Sequence, residues 1–358
     1  MGTKMNMYKS HLKLLPGIAL ALTLSTASAH AAQWQALPEK APEPADNPTT
    51  PEKVELGRIL YMDPRFSSTG TVSCNSCHNV MLGGDDNRPV AMGVHGQMGG
   101  RSAPTVWNAA FSSAQFWDGR AASLEEQAKG PVVNPVEMGM SELKSAIDRV
   151  RAIAGYKPYF EKAFGKDAMT ADNAAKAVAA FERTLITPNS PYDRYVKGEK
   201  QAMTKQQVKG METFARVGCA SCHSGAAFSG PMLSNNGKPF QMKFPTFSDS
   251  AYVSKYNLDK DMGRFEVTKS ESDKHMFKVA TLRNIELTAP YFHNGSVKTL
   301  DEAVKVMGKV QLNKDLSDDE VKDIVAFLHA LTGEFPEQKL PRLPGTSGWA
   351  FEYTEAAK

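Results

Sequence analysis

Cysteine is scarce in this 358-residue chain: there are four, and none stands alone. An apolar stretch long enough to cross a bilayer is missing too. The run Leu14 to Leu24 is well short of the roughly 20 residues a spanning helix needs, so stable membrane insertion is excluded. Excess charge of one sign is absent from the body of the chain, because Lys4, Lys9 and Lys13 account for the whole formal charge of +3. With no net basic field and no basic aromatic stripe, nucleic acid is excluded as a partner. No long run alternates apolar and polar residues with period two. That leaves a mainly α class with long connecting loops.

What cysteine there is falls in Cys74-Asn75-Ser76-Cys77-His78 and Cys219-Ala220-Ser221-Cys222-His223. Two thiols three positions apart can reach the two vinyl groups on one porphyrin edge, and the next histidine can then put its imidazole on the iron. A single Cys-x-x-Cys would leave a redox pair or half a zinc site open. Here both pairs carry the adjacent histidine, so two covalently bound haem c groups are expected, one in each of two domains.

Residues 1–31 read as a signal peptide, with a basic start, the Leu14 to Leu24 core and a small-residue cleavage site at Ala27-Ser28-Ala29 or Ala29-His30-Ala31. Export into the bacterial periplasm is the expectation. Residues 32–52 carry five prolines from Pro38 to Pro51 and read as an extended N-terminal arm. The first haem domain is expected over 53–195, the second over 196–335, and a C-terminal tail over 336–358.

Helices are expected from Lys53 to Tyr61, after Ser123 with Glu126 as a capping box, through Leu143 to Ile153, and through Ala174 to Leu185 with Asp172 as cap. In the second half, Thr204 with Gln207, Thr299 with Glu302, and Ser317 with Glu320 open three more, the last ending at Gly333. Between them lie two long loops. One is glycine-rich, from Gly83 to Gly100, and contains His95; the other runs from Gly225 to Ser250.

Beyond the haem motifs, nearly the whole mature chain resembles the bacterial dihaem cytochrome c peroxidases. The resemblance rests on Ala103-Pro104-Thr105-Val106-Trp107-Asn108, Phe116-Trp117-Asp118-Gly119-Arg120, Asn134-Pro135-Val136-Glu137-Met138, and Leu282-Arg283-Asn284 running into Leu287-Thr288-Ala289-Pro290-Tyr291-Phe292-His293. It implies two cytochrome c-like domains face to face. The N-terminal haem would then be the low-potential peroxide site, and the C-terminal haem the high-potential acceptor of electrons from a small cytochrome c or blue-copper donor.

Carried onto this sequence, the resemblance makes Met307 the partner of His223 on the second iron. A thioether there favours ferrous iron and raises the potential. Tyrosine at that position marks related dihaem oxidases that act on a protein substrate, the alternative reading beside a non-enzymatic dihaem electron carrier. His95 matches a distal ligand that closes the first iron opposite His78 until reduction of the second releases it. Glu137 matches the catalytic glutamate, Gln127 a glutamine that holds hydrogen peroxide, and Trp117 the tryptophan between the haems. Asp118 and Arg120 are expected in local hydrogen bonds or on a propionate, His293 on a propionate or backbone group, and Phe116 in plain core packing. A calcium ion between the domains would use the carbonyls of Thr288 and Pro290, with Ser102 where the family has asparagine. A homodimer is also implied.

Overall fold

Each half of the chain is built on two helices that cross at a glycine. In the first half, Pro51–Met62 begins at Thr50, whose hydroxyl accepts the Lys53 amide, and proline suits its first turn. It crosses Ala171–Glu182 at Gly57, where a β-carbon would lie 1.9 Å from the Ala177 carbonyl oxygen. One turn on, Tyr61 meets Phe181 edge to face at 5.2 Å. In the second half, Lys205–Val217 crosses Asp318–His329 at Gly210, whose β-carbon would lie 1.9 Å from the Asp323 carbonyl oxygen. Phe214 and Phe327 meet one turn on at 5.4 Å.

The computed structural model describes residues 1–2, 34–231 and 239–345. Nearly all of the leader expected over 1–31, the loop residues 232–238 and the tail from 346 lie outside the described residues. Among the described residues no helix is long and apolar enough to cross a membrane.

Two large hydrophobic cores result, one on each crossing, beside a small cluster of Leu37, Phe111 and Ala227. The first runs from Leu56 to Leu185 and the second begins at Tyr192. The domain boundary expected at 195/196 therefore falls inside the helix Pro191–Val196, whose Tyr192 belongs to the second core. Arm and tail clasp the two halves in opposite senses. Trp34 packs on Tyr192 and Phe327 of the second core, while Asn47 bonds Glu125 and the Lys176 carbonyl of the first. The tail returns to the first half, with Phe335 4.8 Å from Trp107 and Leu343 against its core.

A second repetition joins the halves. The bridge between Gln115 and Ala121 encloses Phe116-Trp117-Asp118-Gly119-Arg120, and the bridge between Tyr291 and Val297 encloses Phe292-His293-Asn294-Gly295-Ser296. Both phenylalanines sit at positive φ, 66° and 71°. At the same constant spacing Ser123 opens the helix Leu124–Val133 and Thr299 opens Leu300–Leu312.

Several local expectations change. The cap of Ala171–Glu182 is Thr170, which accepts the Asn173 amide, so Asp172 lies in the first turn. Glu126 accepts from Ala122, and Glu302 turns to Tyr256 and Lys255; of the four boxes expected, Thr204/Gln207 and Ser317/Glu320 make the full reciprocal pair. The last helix ends at His329; Gly333 lies beyond it, where a β-carbon would strike the Thr187 carbonyl oxygen at 1.8 Å. A two-stranded antiparallel sheet, Gln241–Lys243 on Met276–Lys278, was not signalled by any long alternation.

Candidate functional site

The first Cys-x-x-Cys-His folds as a one-turn helix, Cys74–Cys77, opened by Ser73 and Ser76. Both cysteines and His78 line a cavity with about 1520 Å³ of empty space. The Nδ1 atom of His78 lies 2.8 Å from the Pro104 carbonyl, which can only accept, so Nδ1 carries the proton and Nε2 is free for a metal. The second motif repeats this at Cys219–Ser221, with His223 Nδ1 2.9 Å from the Phe228 carbonyl and cysteines on a cavity of about 1250 Å³. The threonines flanking the two sites match as well: Thr105 donates to the Gly83 carbonyl and Thr281 to the Ala227 carbonyl, both at 2.6 Å.

These donor sets suit a thioether-bound haem. Burial pushes the Cys74 and Cys219 thiols up to about 12 and Cys77 to about 11, the reverse of the lowered values that redox or zinc thiolates need. Among the described residues no cluster of three or more His, Cys, Asp or Glu side chains could hold a free metal ion. Burial also lowers the pKa of both histidines, which keeps the imidazoles neutral as ligands must be.

The rest of the two linings differs. Glu137 and Gln127 face the first cavity, with Arg120 and Asn134 beside them. Burial raises the Glu137 pKa, against the pull of Arg120 and the Asn134 amide, which donates to its carboxylate at 2.8 Å. Phe116 also lines this cavity, with the Arg120 guanidinium stacked 3.4 Å from its ring centre, so it does more than fill a core. Asp118 is buried and binds Arg120 and Arg101. The second cavity is mostly apolar and includes Met307, from the helix Leu300–Leu312, along with His223.

Trp117 lines both cavities and is the one described residue common to them. Its indole N–H donates to the Ser102 carbonyl at 2.9 Å, and its ring meets His293, the residue at the matching position, edge to face at 6.3 Å. His293 is buried in the second lining, where desolvation pushes its pKa down to about 4.

His95 is not in the first lining. It is exposed, at φ 57°, on the tip of a hairpin whose base is the Met92–Met98 bridge. The hairpin is nevertheless tied to the cavity, since the Val94 amide donates to the Glu137 carbonyl at 2.8 Å. The calcium residues offer a thin donor set. Ser102 is buried with its hydroxyl toward the Arg88 carbonyl, Thr288 donates to Ile285, and no carboxylate is part of the set, against the six to eight oxygens calcium takes.

Sequence reasoning overlooked two further lining residues. Glu182 is 6% exposed, lines the first cavity, and has a carboxylate oxygen without a hydrogen bond. Lys278 lines the second. The internal repeat of Gln115 to Ala121 at Tyr291 to Val297 was legible and would have paired His293 with Trp117; nothing local marked Glu182.

A family model described as di-haem cytochrome c peroxidase matches residues 51–201. The chain is 43% identical to a cytochrome c551 peroxidase of Nitrosomonas europaea over 327 residues, covering 91% of this chain and 93% of that one. It is 43% identical to a cytochrome c551 peroxidase of Pseudomonas aeruginosa over 345 residues, with 94% and 96% covered. A solved MauG-like protein associated with microbial copper homeostasis superposes with a TM-score of 0.72 at 29% identity, covering 83% of this chain and 95% of that protein.

Proposed function

We propose that this chain, which belongs to the di-haem cytochrome c peroxidase family, reduces hydrogen peroxide in the cavity faced by Glu137, with electrons entering through the Met307 cavity. Cys74, Cys77 and His78 would hold one haem c, and Cys219, Cys222, His223 and Met307 the other. When bound, the haem irons supply the electrons that break the peroxide O–O bond. One observation carries the reading: a half-buried carboxylate and a glutamine amide share the first lining with His78, while the second lining sets a thioether in a mostly apolar surround.

Peroxide needs a proton taken from one oxygen and delivered to the other, which leaves as water. The Glu137 carboxylate does both, and its raised pKa makes the return step easier than for an exposed glutamate. Asn134 fixes the carboxylate by its hydrogen bond, and Gln127 offers an amide to hold peroxide. Two electrons and two protons per peroxide give two waters. Trp117 spans the gap between the cavities and sets their separation.

The hairpin bearing His95 is the gate. Turned out, as here, it leaves the first cavity to Glu137 and Gln127. Turned in, it brings an imidazole toward the cavity and strains the Val94 bond to Glu137, so closure and displacement of the catalytic glutamate are one motion. The donor is a small periplasmic cytochrome c or blue-copper protein. A homodimer, and a weakly held calcium at Ser102, Thr288 and Pro290, complete the reading.

The test is Glu137→Gln in the haem-loaded protein. Both haem spectra should persist while kcat falls about 10²–10⁴-fold, the range for loss of a general acid–base. Full turnover in that variant removes Glu137 from the chemistry. A reductive titration tests the gate, because turnover already maximal in the fully oxidised protein leaves His95 without that role.

A further inference from the structure

The second cavity contains one cation that nothing in the mechanism uses. Lys278 ends the short strand Met276–Lys278, and its amide is strapped to the first half by a 2.8 Å hydrogen bond to the Trp117 carbonyl. Its side chain lines the second cavity beside Trp117 and His293. Among the described residues its ammonium has no hydrogen bond, ion pair or ring partner. No described carboxylate is near enough to influence it, and desolvation brings its pKa down to about 8.

The surroundings sharpen the anomaly. Arg101, packed on Phe277 of the same strand, is already paired with Asp118 and Asp261 at 2.6 Å each. His293 is neutral at working pH, since its pKa is pushed to about 4. Lys278 is thus the one formal cation in the second lining among the described residues. A half-buried ammonium on a mostly apolar lining is costly without an anion, and a methionine or leucine would fill the same space at no such cost. An anion must come with whatever fills the cavity, and a haem brings two carboxylates.

We propose that Lys278 is the counter-ion of a propionate of the second haem, on the side facing Trp117, and that its charge holds that haem at higher potential. This rests on the reading of the cavity as the electron-receiving site. A cation there favours the reduced, less positive haem over the oxidised one. Lys278 is a positioning residue: it acts on the electron transfer through the propionate.

The experiment compares Lys278→Met, Lys278→Gln and Lys278→Arg, each haem-loaded, with the wild type. Haem stoichiometry is read first, then the midpoint potential of each haem by optical redox titration. The near-infrared thioether-to-iron band serves as the control for Met307. The neutral variants should lower the reduction equilibrium of the second haem about tenfold, about 59 mV for a one-electron couple. The first haem should move less than about twofold, and Lys278→Arg should restore the wild-type value. Loss of the second haem from Lys278→Met and Lys278→Gln, with Lys278→Arg fully loaded, supports the same assignment. Unchanged potentials in the neutral variants, or an arginine variant as impaired as methionine, overturn it. Either result leaves wild-type peroxide turnover untouched, whereas absence of that turnover would instead overturn the reading on which the proposal rests.

Discussion

The first cavity presents Gln127 and Pro131 where the second, at the same constant spacing from Ser123 and Thr299, presents Ala303 and Met307. Glu182 stands in the first where Leu328 stands in the second, each directly after the aromatic that packs at the helix crossing. The scaffolds match down to the glycine at each crossing and the threonine beside each histidine. On the proposed function, what separates the peroxide pocket from the electron-passing one is therefore a small set of side chains on equivalent turns. Those in the first can donate, accept or hold a proton. Those in the second offer sulfur and hydrocarbon, which exclude water and favour a closed iron.

The largest effect comes from moving sulfur across. Pro131→Met puts a thioether at the first-cavity position that corresponds to Met307. It also removes a proline from the interior of the helix Leu124–Val133, so the backbone should accept it. Peroxide turnover should fall about 10³-fold, about 4 kcal/mol of barrier, with a second thioether-to-iron band in the near infrared. Full turnover with no new band would break the equivalence of residues 131 and 307.

Glu182 comes next. Burial pushes its pKa up to about 8, so the folded protein keeps this proton while an unfolded chain releases it near 4.5. Across that window the folded state binds more protons, and stability falls as pH rises from about 4.5 through about 8. Glu182→Gln should unfold at higher urea than wild type at pH 9, by about 3 kcal/mol within a ceiling of about 5, and equally with it below pH 4. A difference that does not depend on pH would mean that the carboxylate is paired in the folded protein.

The two crossings should respond alike. Gly57→Ala and Gly210→Ala each push a methyl group against a carbonyl, and overpacking of that kind costs about 1–3 kcal/mol. Near-equal losses of about 2 kcal/mol by chemical denaturation would sharpen the comparison; a loss in one half alone would blunt it.

Much of this was legible because its chemistry is local. Cys-x-x-Cys-His states its own spacing, and the boxes at Thr204/Gln207 and Ser317/Glu320 need only four residues to declare a helix start. Thr170 and Asp172 are both good cap residues two positions apart, and only the extended backbone at Thr170 decides between them. The Gln241–Lys243 and Met276–Lys278 strands are three residues each, too short to show alternation, and they pair across a long loop. Lys278 and Glu182 look like ordinary surface charges in sequence, because their burial depends on which helices and strands close around them. His95 is a different matter: its residue type and loop were readable, but the direction of the hairpin is a property of the folded state.

The smallest predicted effect asks how much of the first cavity's chemistry belongs to Gln127. Gln127→Ala gives this position the residue that the second cavity has at Ala303 and leaves Glu137, Asn134 and Arg120 in place. If the amide only helps to hold peroxide, its loss removes one hydrogen bond to a small substrate, worth about 1.4 kcal/mol or tenfold in kcat/KM. The loss should then appear mainly in KM, with kcat still set by Glu137. A fall as deep as that of Glu137→Gln, and expressed in kcat, would place the amide in the proton transfer itself, and the chemical difference between the cavities would then rest on two residues acting together instead of one.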